Sequence, residues 1–274
     1  MNENRNLKKG VGIHARRLIA YIVLIIVSIL CLFWFYVLFV NATKTHAEIQ
    51  KGFSIIPGKN LLVNWNHVIH GTQPIISGMI NSIIISTLCA VLSTYFSAMT
   101  AYAIHVYDFK LKKFIFAFIL AVMMIPGQVT ALGFIKLMDN MHLMDTFIPL
   151  IVPTIAAPVT FYYMKQYMES TLPLAFHTFN NIVLPIMKPA IAVQAIFTFV
   201  SSWNNYFVPA LVLKKDSVKT LPILIAQLRS ADWLKFDMGQ VYVTIAFSIF
   251  PVIVVYIFLS KYIVQGIALG AVKG

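Results

Sequence analysis

The six longest apolar runs of this 274-residue sequence contain no Asp, Glu, Lys, Arg or His. Charged residues make up 11% of the chain, against about 25% in an average soluble domain. Ion- and proton-coupled carriers rely on ionisable groups at membrane depth, and embedded enzymes need a nucleophile, a metal site or an acid–base pair. Inside these runs there is no ionisable acid or base for coupling, and none to pair with a nucleophile. A phosphate-binding loop is also missing. The nearest look-alike, Gly52 to Gly58-Lys59-Asn60, has one residue too many between its glycines and ends in Asn where Ser or Thr should hold magnesium. The chain is therefore expected to be no enzyme and to carry no cofactor. There are only two cysteines, Cys31 and Cys89, both inside apolar runs, where they read as small apolar residues rather than a disulfide framework. His67 and His70 lie three apart with no acid or Cys to complete a zinc set. The net charge of +12 comes without a basic patch interleaved with stacking aromatics, which argues against nucleic acid as a partner.

What the chain has in quantity is hydrophobicity: 59% of its residues, with a mean hydropathy of +0.82. Six runs, 18–40, 76–104, 114–135, 146–163, 190–213 and 240–260, are long enough to approach or exceed a bilayer crossing of about 30 Å. Lipid offers backbone groups no water, so such runs are expected as helices, and the alternating pattern of an outer-membrane barrel is absent. The expected fold class is all-α, a polytopic membrane protein with six transmembrane helices. It comprises an N-terminal segment 1–17, a membrane domain 18–263 and a tail 264–274. The first run exceeds the core of a signal peptide, about 7–15 residues, and reads as a retained helix. With the N-terminus inside, twelve of the 21 Lys and Arg, including Arg16, Arg17, Lys110, Lys112, Lys113 and Lys188, fall on the inner side. The positive-inside rule then favours both termini in the cytoplasm of a plasma-membrane protein.

Between the runs, Thr220 followed by Leu221-Pro222 reads as the N-cap of a short interfacial helix. Prolines sit within several runs: Pro126, Pro149, Pro153, Pro158, Pro209 and Pro251. Each removes a backbone donor, and clustered breaks suit walls around a cavity, because broken helix is tolerated where it faces protein or water. The polar residues inside the runs are uncharged. Asn81, Gln128, Trp203, Asn204 and Asn205 are the candidate pathway-lining residues, with Gln194 close by. Each also fits plain helix-to-helix hydrogen bonding, worth about 0.6 kcal/mol on average. A neutral polar lining with an aromatic face suits a polyhydroxylated solute better than an anion.

Five stretches carry a family resemblance: Asp108-Phe109-Lys110, Met124 to Gln128, Asn180 to Pro189, Ser202-Trp203-Asn204, and the tail from Val264 to Gly274. The chain resembles the permease subunits of binding-protein-dependent ABC importers, of MetI-like fold, and among them the MalG-like carbohydrate subfamily. The resemblance implies a carbohydrate importer powered elsewhere. Its implied partners are a second homologous permease subunit, a cytoplasmic ATPase dimer, an extracellular solute-binding protein and the bilayer. Glycerol phosphate esters are the alternative cargo, and a stand-alone facilitator or channel is the alternative class. In the family, an EAA-type loop docks on the ATPase. Here the Ile182, Leu184 and Pro185 end of that loop is present, but its EAA half is missing by about a dozen residues, or about 18 Å of helix. Leu172, Pro173, Phe176 and Phe179 stand in its place. The expectation is a coupling loop of Leu172, Pro173, Phe176, Phe179, Ile182, Leu184 and Pro185 with weakened grip on the ATPase.

Overall fold

A computed structural model describes residues 3–171, 178–229 and 237–271, with side chains over 16–171, 178–229 and 237–262. Leu172, Pro173 and Phe176 lie outside the described residues, as do 272–274 of the tail, whose first part, 264–271, continues a helix. Among the described residues the secondary structure is helical throughout. The chain divides into two compact units, residues 1–68 with 237–246, and residues 69–236 with 247–274.

The first unit begins with α1 (Glu3–Ala42), whose apolar crossing stretch Arg16–Ala42 carries no acid and no base beyond Arg16 and Arg17. Such a run satisfies its backbone internally and needs no neighbour to be helical in lipid. α1 ends in a tight polar knot. The Thr43 hydroxyl donates to Val40 O and accepts from the Gly58 N–H at 2.7 Å. Thr45 and Glu48 form a capping box that starts the one-turn helix α2 (His46–Gln50). Accepting the Thr45 backbone N–H holds the Glu48 carboxyl below its ordinary range. α3 (Leu61–His70) follows, and its Asn64 amide donates to Ala42 O and Lys44 O. His67 pairs with Asp237 at 3.2 Å, and the Gln240 amide donates to His67 O. A Cβ on Gly239 would sit 2.7 Å from both Asn64 amide atoms, so only glycine fits there.

The second unit is built on α4 (Ile75–Val106). Half of its most apolar window is buried, and many of the buried positions are small, among them Ser82, Ser86, Cys89, Ala90, Ser93, Ser97, Ala98 and Ala101. Small residues let backbones approach, which is how helices associate where lipid removes the hydrophobic drive. At one end of α4, Ala98, Ala101 and Tyr102 pack with Phe161, Met164, Met168, Val183 and Met187. Truncating a buried Met here costs about 2–5 kcal/mol. At the other end, Ile85 and Cys89 pack with Leu150, Val212, Leu213 and Ile223. Asn81 donates to Ser217 O and Lys219 O, both at 3.0 Å. Asp145, at φ 58°, accepts the N–H groups of Lys215 and Lys214, which holds its carboxyl below the usual range.

Proline sets the breaks. α5 (Lys112–Met123) and α6 (Gly127–Asn140) meet at Pro126 with a 97° bend. The run expected as a single span at 146–163 is α7 (Ile148–Ile151), a 3₁₀ turn Val152–Ile155 and α8 (Pro158–Thr171), each piece starting at or beside a proline. Further on come a π-turn Phe179–Val183, α9 (Leu184–Ile186), then α10 (Lys188–Trp203) after a 73° bend, and α11 (Phe207–Val212). The run expected at 190–213 is thus interrupted at Asn204–Tyr206. α12 (Leu221–Arg229) and α13 (Met238–Ala271) complete the chain, with Pro251 inside α13. Three described helices are long and apolar enough to cross a membrane, or up to five if each bent pair is one span.

Candidate functional site

α10 presents two faces of opposite chemistry. Gln194, Thr198, Ser201 and Ser202 recur at helical spacing on one of them. They line a cavity of about 530 Å³ together with Cys89 and Ser93 of α4, Thr154 and Thr160 of the proline-broken segment, Asn205, Pro209 and Thr220. The volume falls in the range of ligand pockets, about 300–1,000 Å³. None of the described lining residues is charged.

The polar groups divide by what they already hold. Ser93 Oγ reaches Thr160 Oγ1 at 3.4 Å, a weak tie between α4 and α8. Cys89 Sγ donates to Leu150 O. Gln194 is 6% exposed, and its amide bonds to no other described residue. Thr220 is 4% exposed, and its hydroxyl is buried without a partner. A buried polar group left unpaired costs about 1–3 kcal/mol, and most buried polar groups in native proteins are paired. The Thr220 hydroxyl is such a group, and its place on the cavity indicates that water or a polar solute completes it.

Thr220 also differs from its expected role as a side-chain cap. It stands at the N-terminus of α12, where its carbonyl accepts from Ile223 and Leu224. The cap itself comes from α4: Ser82 Oγ accepts the Leu221 N–H at 2.8 Å. That leaves the Thr220 hydroxyl free for the cavity.

The structure separates the candidate residues. Asn205 lines this cavity and an adjoining one of about 600 Å³ beside α6, with Thr154 shared between them. Asn204 is exposed and its amide donates back to Val200 O at 3.0 Å. Trp203 is buried, its ring stacked on Phe199 at 5.8 Å. Asn81 is buried and holds the Ser217–Lys219 turn. Gln128 lies exposed on α6. Of the described coupling residues, Phe179 packs its ring on Tyr102 and Tyr95 of α4, at 5.2 and 6.0 Å. Leu184 and Pro185 line a different cavity on the far face of α10, and Ile182 is exposed. Ser93, Thr160, Thr198, Ser201 and Thr220 were not singled out from sequence as pathway residues. A signal did exist: Ser82, Ser86, Ser93 and Ser97 are spaced by four, seven and four, one stripe along a helix.

No family model matches the chain. The chain is 32% identical over 264 residues to the arabinooligosaccharides transport system permease protein AraQ of Bacillus subtilis (strain 168), covering 90% of this chain and 92% of the relative. It is 28% identical over 265 residues to the sn-glycerol-3-phosphate transport system permease protein UgpE of Yersinia pestis, covering 90% and 94%. Among solved structures, a chain of a bacterial ABC transporter involved in the import of the acidic polysaccharide alginate superposes with a TM-score of 0.75 at 19% identity, covering 89% of this chain and 95% of that one.

Proposed function

The chain belongs to the permease subunits of ABC importers of the carbohydrate type, and we propose that its polar cavity carries a neutral saccharide across the bilayer. It is a multi-pass membrane transport component rather than an enzyme. The observation that carries the substrate class is the cavity of about 530 Å³, rich in hydroxyl and amide groups and free of charge. Sugars trade hydrogen bonds with such groups. Gln194 and Thr220 have that capacity unspent, and Phe197 on the same wall offers an apolar face to a sugar ring. A glycerol phosphate ester, the cargo named for the UgpE relatives, would bring a dianion. Desolvating it without a cation costs several kcal/mol, and this cavity has no Lys or Arg among its described lining residues.

The working unit is read as this subunit, a second homologous permease, two cytoplasmic ATPases and an extracellular solute-binding protein. We read six crossings with both termini inside, each bent pair and the proline-broken segment 146–171 counting as one crossing. The Lys and Arg distribution supports that orientation. A cysteine at position 112 should then be labelled only from the cytoplasm and one at 217 only from outside. The shortened loop is read as a weakened coupling element, since coupling needs a rigid element that both sites bias. Phe179 is drawn inward onto Tyr95 and Tyr102 and is half-buried, which leaves less of it to meet an ATPase. Inserting an EAA-type segment after Ala175 should raise ATPase association.

The test of function is uptake into vesicles holding the complete complex, with a radiolabelled arabino-oligosaccharide and with glycerol 3-phosphate in parallel. ATP-dependent uptake of the saccharide alone supports the reading. Uptake of the phosphate ester alone refutes the neutral-substrate assignment, and uptake without ATP refutes coupling in favour of a facilitator.

A further inference from the structure

A second cavity along the α4–α10 pair has a mostly apolar lining. It measures about 590 Å³ and is walled by α4, the π-turn, α9, α10 and α13. The two long helices run antiparallel here. Tyr95 meets Phe179 just ahead of α10, while Phe199 near the far end of α10 shares the cavity with Thr87 and Ala90. The lining is therefore polarised along its length. Val91, Ala195, Phe199 and Val255 form an apolar body, and Lys188, Asn180 and the Tyr95 ring lie at one end. Lys188 is the only charged residue among the described lining residues, its side chain is exposed, and it pairs with no described carboxylate. The next cation along α13, Lys261, follows the lining residue Leu259 by two positions.

This inference rests on the orientation read above, which puts the Lys188 end at the cytoplasmic headgroup level. An apolar cavity in a membrane domain fills with hydrocarbon rather than water. A Lys at its mouth snorkels to the interface and attracts anionic headgroups. We propose that the cavity is a binding site for an anionic glycerophospholipid. One acyl chain lies along α10 against Ala195 and Val91. The phosphate meets the Lys188 ammonium, with the Asn180 amide and Tyr95 hydroxyl as further donors. A neutral lipid fits the apolar body equally well but gains nothing from Lys188, so the cation sets the preference for negative charge.

The experiment uses the intact importer complex in phosphatidylcholine vesicles. They are doped with phosphatidylglycerol carrying a photoreactive acyl chain or, separately, with phosphatidylcholine carrying the same chain. Crosslinked peptides are read by mass spectrometry. Phosphatidylglycerol should label peptides of α10 and α13. Lys188→Gln should lower that yield by about fivefold, the effect of removing one lysine near a membrane surface. Lys188→Arg should retain it, and Ala195→Trp should remove labelling by both lipids by filling the space. Equal labelling by the two lipids, or no change in Lys188→Gln, overturns the proposal. So does crosslinking of Ala195→Cys to the second permease subunit by a thiol-reactive benzophenone attached at that cysteine, because the cavity would then hold protein. Sidedness is tested apart from this: labelling of a cysteine at 112 from the outer side refutes the orientation, whereas the lipid comparison is read whichever way the complex faces.

Discussion

Two cavities of similar size, about 530 and 590 Å³, flank the same pair of helices and differ in almost everything else. On one side α10 turns Gln194, Thr198, Ser201 and Ser202 inward, and α4 adds Cys89 and Ser93. On the other, α10 turns Lys188, Ile191, Ala195 and Phe199, and α4 adds Ala90, Val91 and Tyr95. The difference comes from helical phase alone. Steps of three and four residues keep each set on its own face, so one helix can serve a polar solute and hydrocarbon at once. Hydroxyls on the polar side are spared the cost of burial in lipid because they face a cavity. Apolar residues on the other side are matched to the solvent they meet.

The largest test of that division is to fill each side in turn. Thr198→Trp should bring uptake to the background of empty vesicles, while Ala195→Trp, three residues away, should change it less than about twofold, as substitutions away from a site usually do. A comparable loss from both would erase the distinction. Next in size, Gln194→Leu and Asn205→Leu should each lower uptake about tenfold with complex assembly intact, the worth of one good hydrogen bond. Asn204→Leu should do less, because its amide is already committed to Val200 O. Uptake and assembly falling together would make these residues structural. Thr220→Val sharpens the comparison further: it should lower uptake a few-fold without lowering the melting temperature, since it removes an unpaired hydroxyl. Ser82→Ala is its opposite. It should leave uptake near normal and cost about 1 kcal/mol of stability, measured by thermal unfolding in detergent, through loss of the cap on α12. The smallest expected effect is on pH. The Asp145 carboxyl is held below its ordinary range by the Lys215 and Lys214 N–H groups. Its contribution is therefore full above the unfolded carboxylate range and fades as pH falls through the lowered value. Asp145→Asn should flatten the acid limb of a thermal-stability profile below about pH 4, the ordinary carboxylate range.

Much of the helical framework was legible as charge-free length. Some of the breaks were legible too: Pro126, Pro149, Pro153 and Pro158 stand where helices bend or stop, whereas Pro209 and Pro251 lie inside helices and the break at 204–206 has no proline. The cavity was legible only in part. Asn205 stood out as a polar residue in an apolar run, but so did Asn81 with its amide and Trp203 with its indole. The first turned out to hold a turn 136 residues away, and the second to stack on its own helix. Sequence spacing cannot tell a polar residue that feeds a cavity from one that satisfies a distant carbonyl, because the partner is set by packing. The cap on α12 makes the same point. Thr220 stands at the right position, yet Ser82, 139 residues earlier, takes the Leu221 N–H. Residues such as Ser93 and Thr160 were overlooked because a hydroxyl in a membrane helix ordinarily bonds its own backbone, as Thr94 does to Ala90 O.

The claim that one face of α10 carries the solute is tested most directly by substrate protection. In the complete complex, with Cys31 and Cys89 replaced by alanine, single cysteines at 198 and 201 and at 191 and 195 would be alkylated by a small maleimide, with and without the saccharide trapped by vanadate. The account predicts that the saccharide slows alkylation at 198 and 201 and leaves 191 and 195 unchanged. Protection at 191 and 195, or none at 198 and 201, would contradict it.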